Sequence, residues 1–253
     1  MISKSSLEVI QKRAGQIKKP VRVIVFTTDI GCEACPDMVE LARAIKAQMG
    51  KIVLEIYDKV MDRDKSEQYD ITIAPAVVVQ GEEGQTVTFF GLIEDVFLEV
   101  LLDTLHAVSE KKVWFPENIR CTVRHLTNDV KIRVLVESDC ALCKPVAETA
   151  IGLALESSYI KTDIITASDY PELIKKYNIT TLPKTIFGEN LHMDGHVKES
   201  EFLEMIFQAE GVKPGPDRRC MVCGKPSPDA ICSRCRTKIQ AEAVDHKLKT
   251  EKL

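Results

Sequence analysis

Eight of the nine cysteines fall into four Cys-x-x-Cys pairs: Cys32/Cys35, Cys140/Cys143, Cys220/Cys223 and Cys232/Cys235. Two intervening residues bring both sulfurs within disulfide reach in one helical turn, or let both ligate one metal ion. The first two pairs stand alone, 108 positions apart, whereas the last two are separated by only eight residues. The isolated pairs read as redox motifs and the crowded pairs as metal ligands.

Only a thiolate attacks a disulfide. A first Cys placed at a helix N-terminus gains from unpaired N–H groups and from the helix dipole, both of which favour negative charge. Cys32 and Cys140 are the expected nucleophiles, and Cys35 and Cys143 would resolve the mixed disulfide. Asp29 and Glu137 each lie three residues before the first Cys. A carboxylate there is a candidate proton relay for the second Cys, the bland alternative being a solvated loop acid. Lys144 adjoins the second pair and Glu33 lies inside the first, which favours a more acidic thiol in the second pair, although Asp139 offsets part of this. A zinc site shared by the two isolated pairs is the rival reading, and it needs two helix ends to meet tip to tip. Cys121, the ninth cysteine, reads as a small buried hydrophobe.

Cys220, Cys223, Cys232 and Cys235 are expected to hold one structural Zn²⁺ in a tetrahedral Cys₄ site, with Gly224 suited to the tight turn after the second ligand. A redox-active or disordered cluster, or iron on the same ligands, are the alternatives. The segment has little apolar content, so its folding should depend on the metal. Residues 212–219, with two prolines and a glycine, read as a linker that lets the finger move. Arg218, Arg219, Arg234 and Arg236 would then face a protein or RNA partner. The stretch after Cys235 has helix formers but a thin apolar face, suited to docking on a partner or to fraying.

The elements that carry the isolated pairs are repeated. Tyr69-Asp-Ile-Thr-Ile-Ala-Pro75 matches Tyr177-Asn-Ile-Thr-Thr-Leu-Pro183 at the same offset of 108, and each proline lies 43 residues after its first Cys. A period this long indicates two copies of a whole domain. Each copy opens with a charged amphipathic helix (about 5–17 and 116–128), then a strand (21–28 and 131–136). A helix with apolar i, i+3, i+4 spacing comes after the Cys pair: Met38, Leu41, Ala42, Ile45 in one copy and Val146, Ala150, Leu153 in the other. A second strand (51–57 and 160–165), a short helix ending at the repeated Tyr, the proline, a hairpin and a final helix (93–108 and 200–210) complete each copy. Strands alternating with helices imply an α/β fold with a mixed sheet flanked by helices.

A proline opening a strand removes one backbone N–H from the ladder. If its peptide bond is cis, the preceding carbonyl and N–H turn outward, and an extended substrate can pair with them. Ala74-Pro75 and Leu182-Pro183 are the candidate substrate platforms.

A Cys-x-x-Cys at the start of a helix with a distant cis-proline beside it resembles the thioredoxin fold, and both copies carry both landmarks. Two fused units with their own opening helices resemble the tandem, glutaredoxin-like protein disulfide oxidoreductases of archaea and thermophilic bacteria. Gly31-Cys-Glu-Ala-Cys-Pro-Asp37 is also similar to the Cys-x-x-Cys-Pro-Asp of the thioredoxin-like domain in the alkyl hydroperoxide reductase flavoprotein subunit. The resemblance covers about residues 1–210 and implies the fold and dithiol–disulfide exchange, without specifying the substrate. The family's aromatic residue before the motif is absent. So is thioredoxin's buried aspartate six residues before the first Cys, where Phe26 and Val134 stand. The expected organisation is a first unit at 1–111, a second at 112–211, a linker at 212–219, and a zinc-ribbon or knuckle module with a C-terminal helix at 220–253.

Composition narrows the function further. The 253 residues are 45% hydrophobic and 28% charged, with net charge −4. From Gly211 onward ten Lys and Arg oppose five Asp and Glu, leaving an acidic body that argues against nucleic-acid binding there. No run is long and apolar enough for a membrane span, and residues 1–20 lack the apolar stretch of a signal peptide, so a cytoplasmic protein is expected. No flavin, nicotinamide or glutathione signature is present, so an external reductase or oxidant must exchange electrons with the chain. The reading is a thiol–disulfide oxidoreductase acting on protein disulfides or dithiols. The alternative is a redox-sensing adaptor whose finger binds a protein or RNA.

Overall fold

The computed structural model describes residues 2–250, apart from Glu83, Val113, His125, Val197, residues 212–218, Pro226, Pro228 and the side chain of Thr250. Most of the proposed linker, Arg218 and residues 251–253 therefore lie outside the described residues. The first half of the chain forms α1 (Lys4–Arg13), β1 (Val21–Thr27), α2 (Cys35–Gln48), β2 (Ile52–Asp58), α3 (Arg63–Gln68), β3 (Ala76–Gln80), β4 (Thr86–Phe90) and α4 (Asp95–Glu110). The same order returns in α5 (Glu117–Arg124), β5 (Val130–Val136), α6 (Cys143–Glu156), β6 (Ile160–Thr166), α7 (Pro171–Lys176), β7 (Lys184–Phe187), β8 (Leu191–Asp194) and α8 (Glu199–Ala209). One further helix, α9 (Ser233–Thr250), ends the described chain. Each half is a thioredoxin-like β-α-β-α-β-β-α unit behind an opening helix.

All eight strands join a single sheet, in the order β2-β1-β3-β4-β6-β5-β7-β8. The halves meet where β4 pairs in parallel with β6, Thr86 opposite Lys161 and Phe90 opposite Ile165. β4 would otherwise be an exposed edge of Val87, Phe89 and Phe90, and pairing removes that liability. Because β1, β4, β6 and β5 run in one direction, the C-terminal ends of β1 and β5 lie at the same rim of the sheet. They are four strand steps apart, about 19 Å at the usual strand spacing.

Separate cores, one per unit, are not what the chain builds. One apolar layer runs under both halves on the face covered by α1, α2, α4, α5, α6 and α8, with Val25, Leu101, Ala150 and Phe207 all within it. The expected stripes on α2 and α6 face this layer, and all seven residues named for them are at most 5% exposed. The opposite face carries a smaller layer around Phe26, Ile71, Leu135 and Tyr170, beside α3 and α7.

The constant offset of 108 fails at one place. β1 opposes β3 with Phe26 across from Ala76, and β5 opposes β7 with Leu135 across from Lys184. Leu135 is therefore the counterpart of Phe26, and Val134 faces the larger core instead. The first unit has one more residue between its strand and its cysteines, a loop in which Gly31 takes φ +70°. Asp29 and Glu137 are thus matched in distance from their cysteines but not in distance from the strand.

Candidate redox and metal sites

The loops leaving β1 and β5 carry the two isolated pairs. Both are disulfides, with Cα–Cα distances of 5.4 Å for Cys32–Cys35 and 5.3 Å for Cys140–Cys143, inside the range that a disulfide spans. The helices begin at Cys35 and Cys143, so the second Cys of each pair is the first helical residue, and the first Cys stands in the turn just ahead. This corrects the expectation that Cys32 and Cys140 open the helices. The consequence is a difference in access: Cys35 and Cys143 are 4% and 0% exposed, whereas Cys32 and Cys140 are half-buried at the rim. The outer sulfur of each pair is open to solvent and the inner one is shielded from it.

The strand register places the prolines. β3 and β7 begin at the residues after Pro75 and Pro183, which puts each proline one position beyond the last pair with β1 or β5, where the cysteine loop departs. Ala74-Pro75 and Leu182-Pro183 are both cis. In the second unit Cys140 and Leu182 line one open groove of about 430 Å³ that also takes in Glu137, Asp139 and Ser168.

The charges flanking the two pairs differ in their surroundings. Glu137 accepts the backbone N–H and the hydroxyl of Ser168 at 2.5 and 3.1 Å, while Asp29 is exposed. Lys144 lies 3.3 Å from Glu99 on α4, so the cation beside the second pair is shared with a carboxylate of the first unit. Cys121 is not a buried hydrophobe. It is exposed on α5, and its Sγ donates to Glu117 at 3.2 Å, a contact that raises the thiol pKa and makes it a poor nucleophile.

The four C-terminal sulfurs all lie within 4.8 Å of one another. Cys223 and Cys232 are 3.8 Å apart, the edge of a sulfur tetrahedron around an ion about 2.3 Å from each ligand. The N–H of Cys232 points at the Cys220 sulfur at 3.3 Å. Burial opposes ionisation of Cys220, but this N–H and those of Cys223 and Val222 outweigh it and lower its pKa to about 7. The donor set and its geometry fit a tetrahedral metal ion with no ligand position left open.

The finger is not detached. Cys220, Ala230, Ile231, Cys235, Ile239 and Ala243 belong to the larger core. Glu204 on α8 accepts the N–H groups of Ala230 and Ile231 at 3.2 and 3.1 Å, and pairs with Arg236 at 3.4 Å. The expectation of a mobile module fails because the few apolar residues, Ile231 and Ile239 above all, are both fully buried against the body. α9 likewise packs along α8. Of the arginines assigned to a partner, Arg236 is held by Glu204 and Asp229, and Arg219 donates to the carbonyl of Gly224.

Residues 130–208 match the model of a thioredoxin domain. No curated protein matches the chain in sequence. Among solved structures, a protein disulfide oxidoreductase from Aeropyrum pernix superposes with a TM-score of 0.74 at 22% identity, covering 83% of this chain and 94% of that one. The NTD_N/C domain of alkylhydroperoxide reductase AhpF from Enterococcus faecalis gives 0.72 at 19% identity, over 81% of this chain and 100% of that one. Sso1120 from Sulfolobus solfataricus gives 0.56 at 19%, over 75% and 99%. At these identities the likeness is one of fold, two thioredoxin-like units in tandem. No described helix is long and apolar enough to cross a membrane.

Proposed function

We propose that the chain is a thiol–disulfide oxidoreductase that acts on protein disulfides through Cys32–Cys35 and Cys140–Cys143. The observation that carries this reading is the repeated pairing of a half-buried outer sulfur with a buried inner one beside a cis-proline. In the reducing direction the Cys32 thiolate attacks one sulfur of a client disulfide. A mixed disulfide forms, and the other client sulfur leaves as a thiolate and takes up a proton. Cys35, having given up its own proton, then attacks Cys32. The internal disulfide closes, the second client thiolate leaves and is protonated, and two electrons have passed to the client. Cys140 and Cys143 act in the same way. Ala74-Pro75 and Leu182-Pro183 hold the client beside the outer sulfur, and a separate dithiol or disulfide partner resets each pair.

Residues 1–111 and 112–211 are assigned to the two redox units, 212–219 to the connection, and 220–253 to the finger. The metal is assigned as Zn²⁺, which four thiolates suit, and its duty is structural because the ligand set is closed. The cysteine usage fits a reducing compartment, the cytoplasm. Reduction of insulin by the full chain with dithiothreitol tests the reading. Activity that disappears in the Cys32→Ser/Cys140→Ser double variant supports it, and undiminished activity there removes it. Asp29 and Glu137 enter as proton relays only if Asp29→Asn or Glu137→Gln shifts the pH profile of that reaction.

A further inference from the structure

The connection from β6 to α7 runs between the two redox pairs. Ala167 and Ser168 line the Cys140 groove, and Ser168 holds Glu137. The next residues turn to the first unit. Asp169 accepts the N–H of Leu92 at 2.7 Å, and the Thr166 hydroxyl donates to the Leu92 carbonyl at 3.3 Å. Tyr170, 6% exposed, donates its hydroxyl to the carbonyl of Pro75 at 3.3 Å. That carbonyl also accepts the N–H of Gly91 at 3.1 Å.

We propose that Tyr170 is a positioning residue of the Cys32–Cys35 site, supplied by the second unit, that fixes the Ala74-Pro75 platform for a client disulfide. The proposal rests on the reading of that site as a protein disulfide oxidoreductase. Three observations argue that the contact is built for the first site. Among the described residues the second platform has no such support: the Pro183 carbonyl accepts Gly195 N–H at 2.8 Å, and the repeat partner of Tyr170 is Asp62, whose carboxylate accepts the N–H of Asp58 instead. The backbone is shaped for the approach: a Cβ on Gly91 would lie 2.5 Å from Asp169 Oδ2 and 3.0 Å from Thr166 Cβ, whereas one on Gly195 meets nothing within 4 Å. Burial also raises the Tyr170 phenol above its usual range, so the hydroxyl keeps its proton and remains a donor. A platform held in place before the client arrives has less freedom to lose on binding.

The test uses the full chain carrying Cys140→Ser and Cys143→Ser, so that only the first pair can react, with Tyr170→Phe added. Insulin is the client and dithiothreitol the reductant. The expected result is a KM for insulin raised about fivefold, the change that about 1 kcal/mol gives at 1.4 kcal/mol per tenfold, with the effect on KM and not on kcat. The Pro75 carbonyl ¹³C shift should move in the same variant, reporting loss of the hydrogen bond. An unchanged KM with a moved carbonyl shift overturns the positioning role, and an unmoved shift overturns the contact itself. If the Tyr170 parent already fails to reduce insulin while Cys32 and Cys35 still cycle with dithiothreitol, the underlying reading of the site falls, and the proposal with it.

Discussion

The carboxylate of Glu204 and the backbone N–H of Ile231 meet at 3.1 Å, joining the last helix of the second thioredoxin-like unit to the knuckle of the four-cysteine cluster. The same carboxylate holds Ala230 N–H and Arg236, and its side chain is only 14% exposed. Hydrogen bonds to a charged, mostly buried acceptor are worth about 1.5–3 kcal/mol. Glu204→Gln should therefore loosen the docked finger. Amide exchange at Ala230 and Ile231 should accelerate at least tenfold while β5 and β6 stay protected. Equal protection in the variant would show that apolar packing alone holds the module.

Metal removal should act on the same region. A chelator should unfold residues 219–235 and free α9, exposing Ile231 and Ile239, while the eight-stranded sheet keeps its circular dichroism and insulin reduction continues. Elemental analysis should return about one zinc per chain on this ligand count. A metal-free preparation with a folded knuckle would remove the metal assignment.

Trapping separates the two redox sites. Cys35→Ser and Cys143→Ser each leave an outer thiol that attacks but cannot be displaced, so mixed disulfides with client proteins should accumulate at Cys32 and Cys140 respectively. Peptide mapping of the trapped species identifies the sulfur. Adducts at Cys121 in place of these would contradict the assignment of the outer cysteines.

Acid stability should depend on Glu55. Its carboxylate receives two bonds from Arg22, at 2.6 and 2.9 Å, and these lower its pKa from 4.5 to about 2. A carboxyl whose folded pKa is depressed stabilises the fold fully above its unfolded value, and loses that contribution as pH falls toward the folded one. Glu55→Gln should therefore lower the urea midpoint at pH 7, and the gap to the parent should close by about pH 2. A gap of equal size at both pH values would assign the effect to packing.

The paired glycines offer a measure of the junction between the halves. Gly91 and Gly195 have φ of +92° and +74°, so alanine is strained at both. Only Gly91 is crowded, by Thr166 and Asp169 of the other unit. Gly91→Ala should be the more destabilising by at least about 1 kcal/mol in denaturant unfolding, a typical cost of overpacking. Equal losses would mean that this contact contributes nothing to stability.

Features that repeat, or that obey local periodicity, are legible in the sequence. The cysteine pairs, the two prolines, and the stripes Met38–Ile45 and Val146–Leu153 all signal themselves within a few residues. Features that depend on partners far along the chain are not. The pairing of β4 with β6 leaves no trace in the alternation of either strand. Tyr170 looks like an ordinary aromatic before Pro171, and only its absence from the first copy, where Asp62 stands, sets it apart. The docking of the finger rests on Ile231 and Ile239, too few to register as an apolar stripe although both are fully buried. The loop with Gly31 shifts the first strand by one residue, which a match counted back from the cysteines cannot detect.

The common rim of β1 and β5 has a consequence for electron traffic. About 19 Å of sheet separates the two cysteine loops, far beyond the contact distance that thiol–disulfide exchange requires. Under the proposed oxidoreductase function, each pair would be charged and discharged without draining the other, and the fully reduced molecule would store four electrons in two compartments. The compartments would then communicate through a third molecule that visits both, so their occupancies would follow the dithiols in solution.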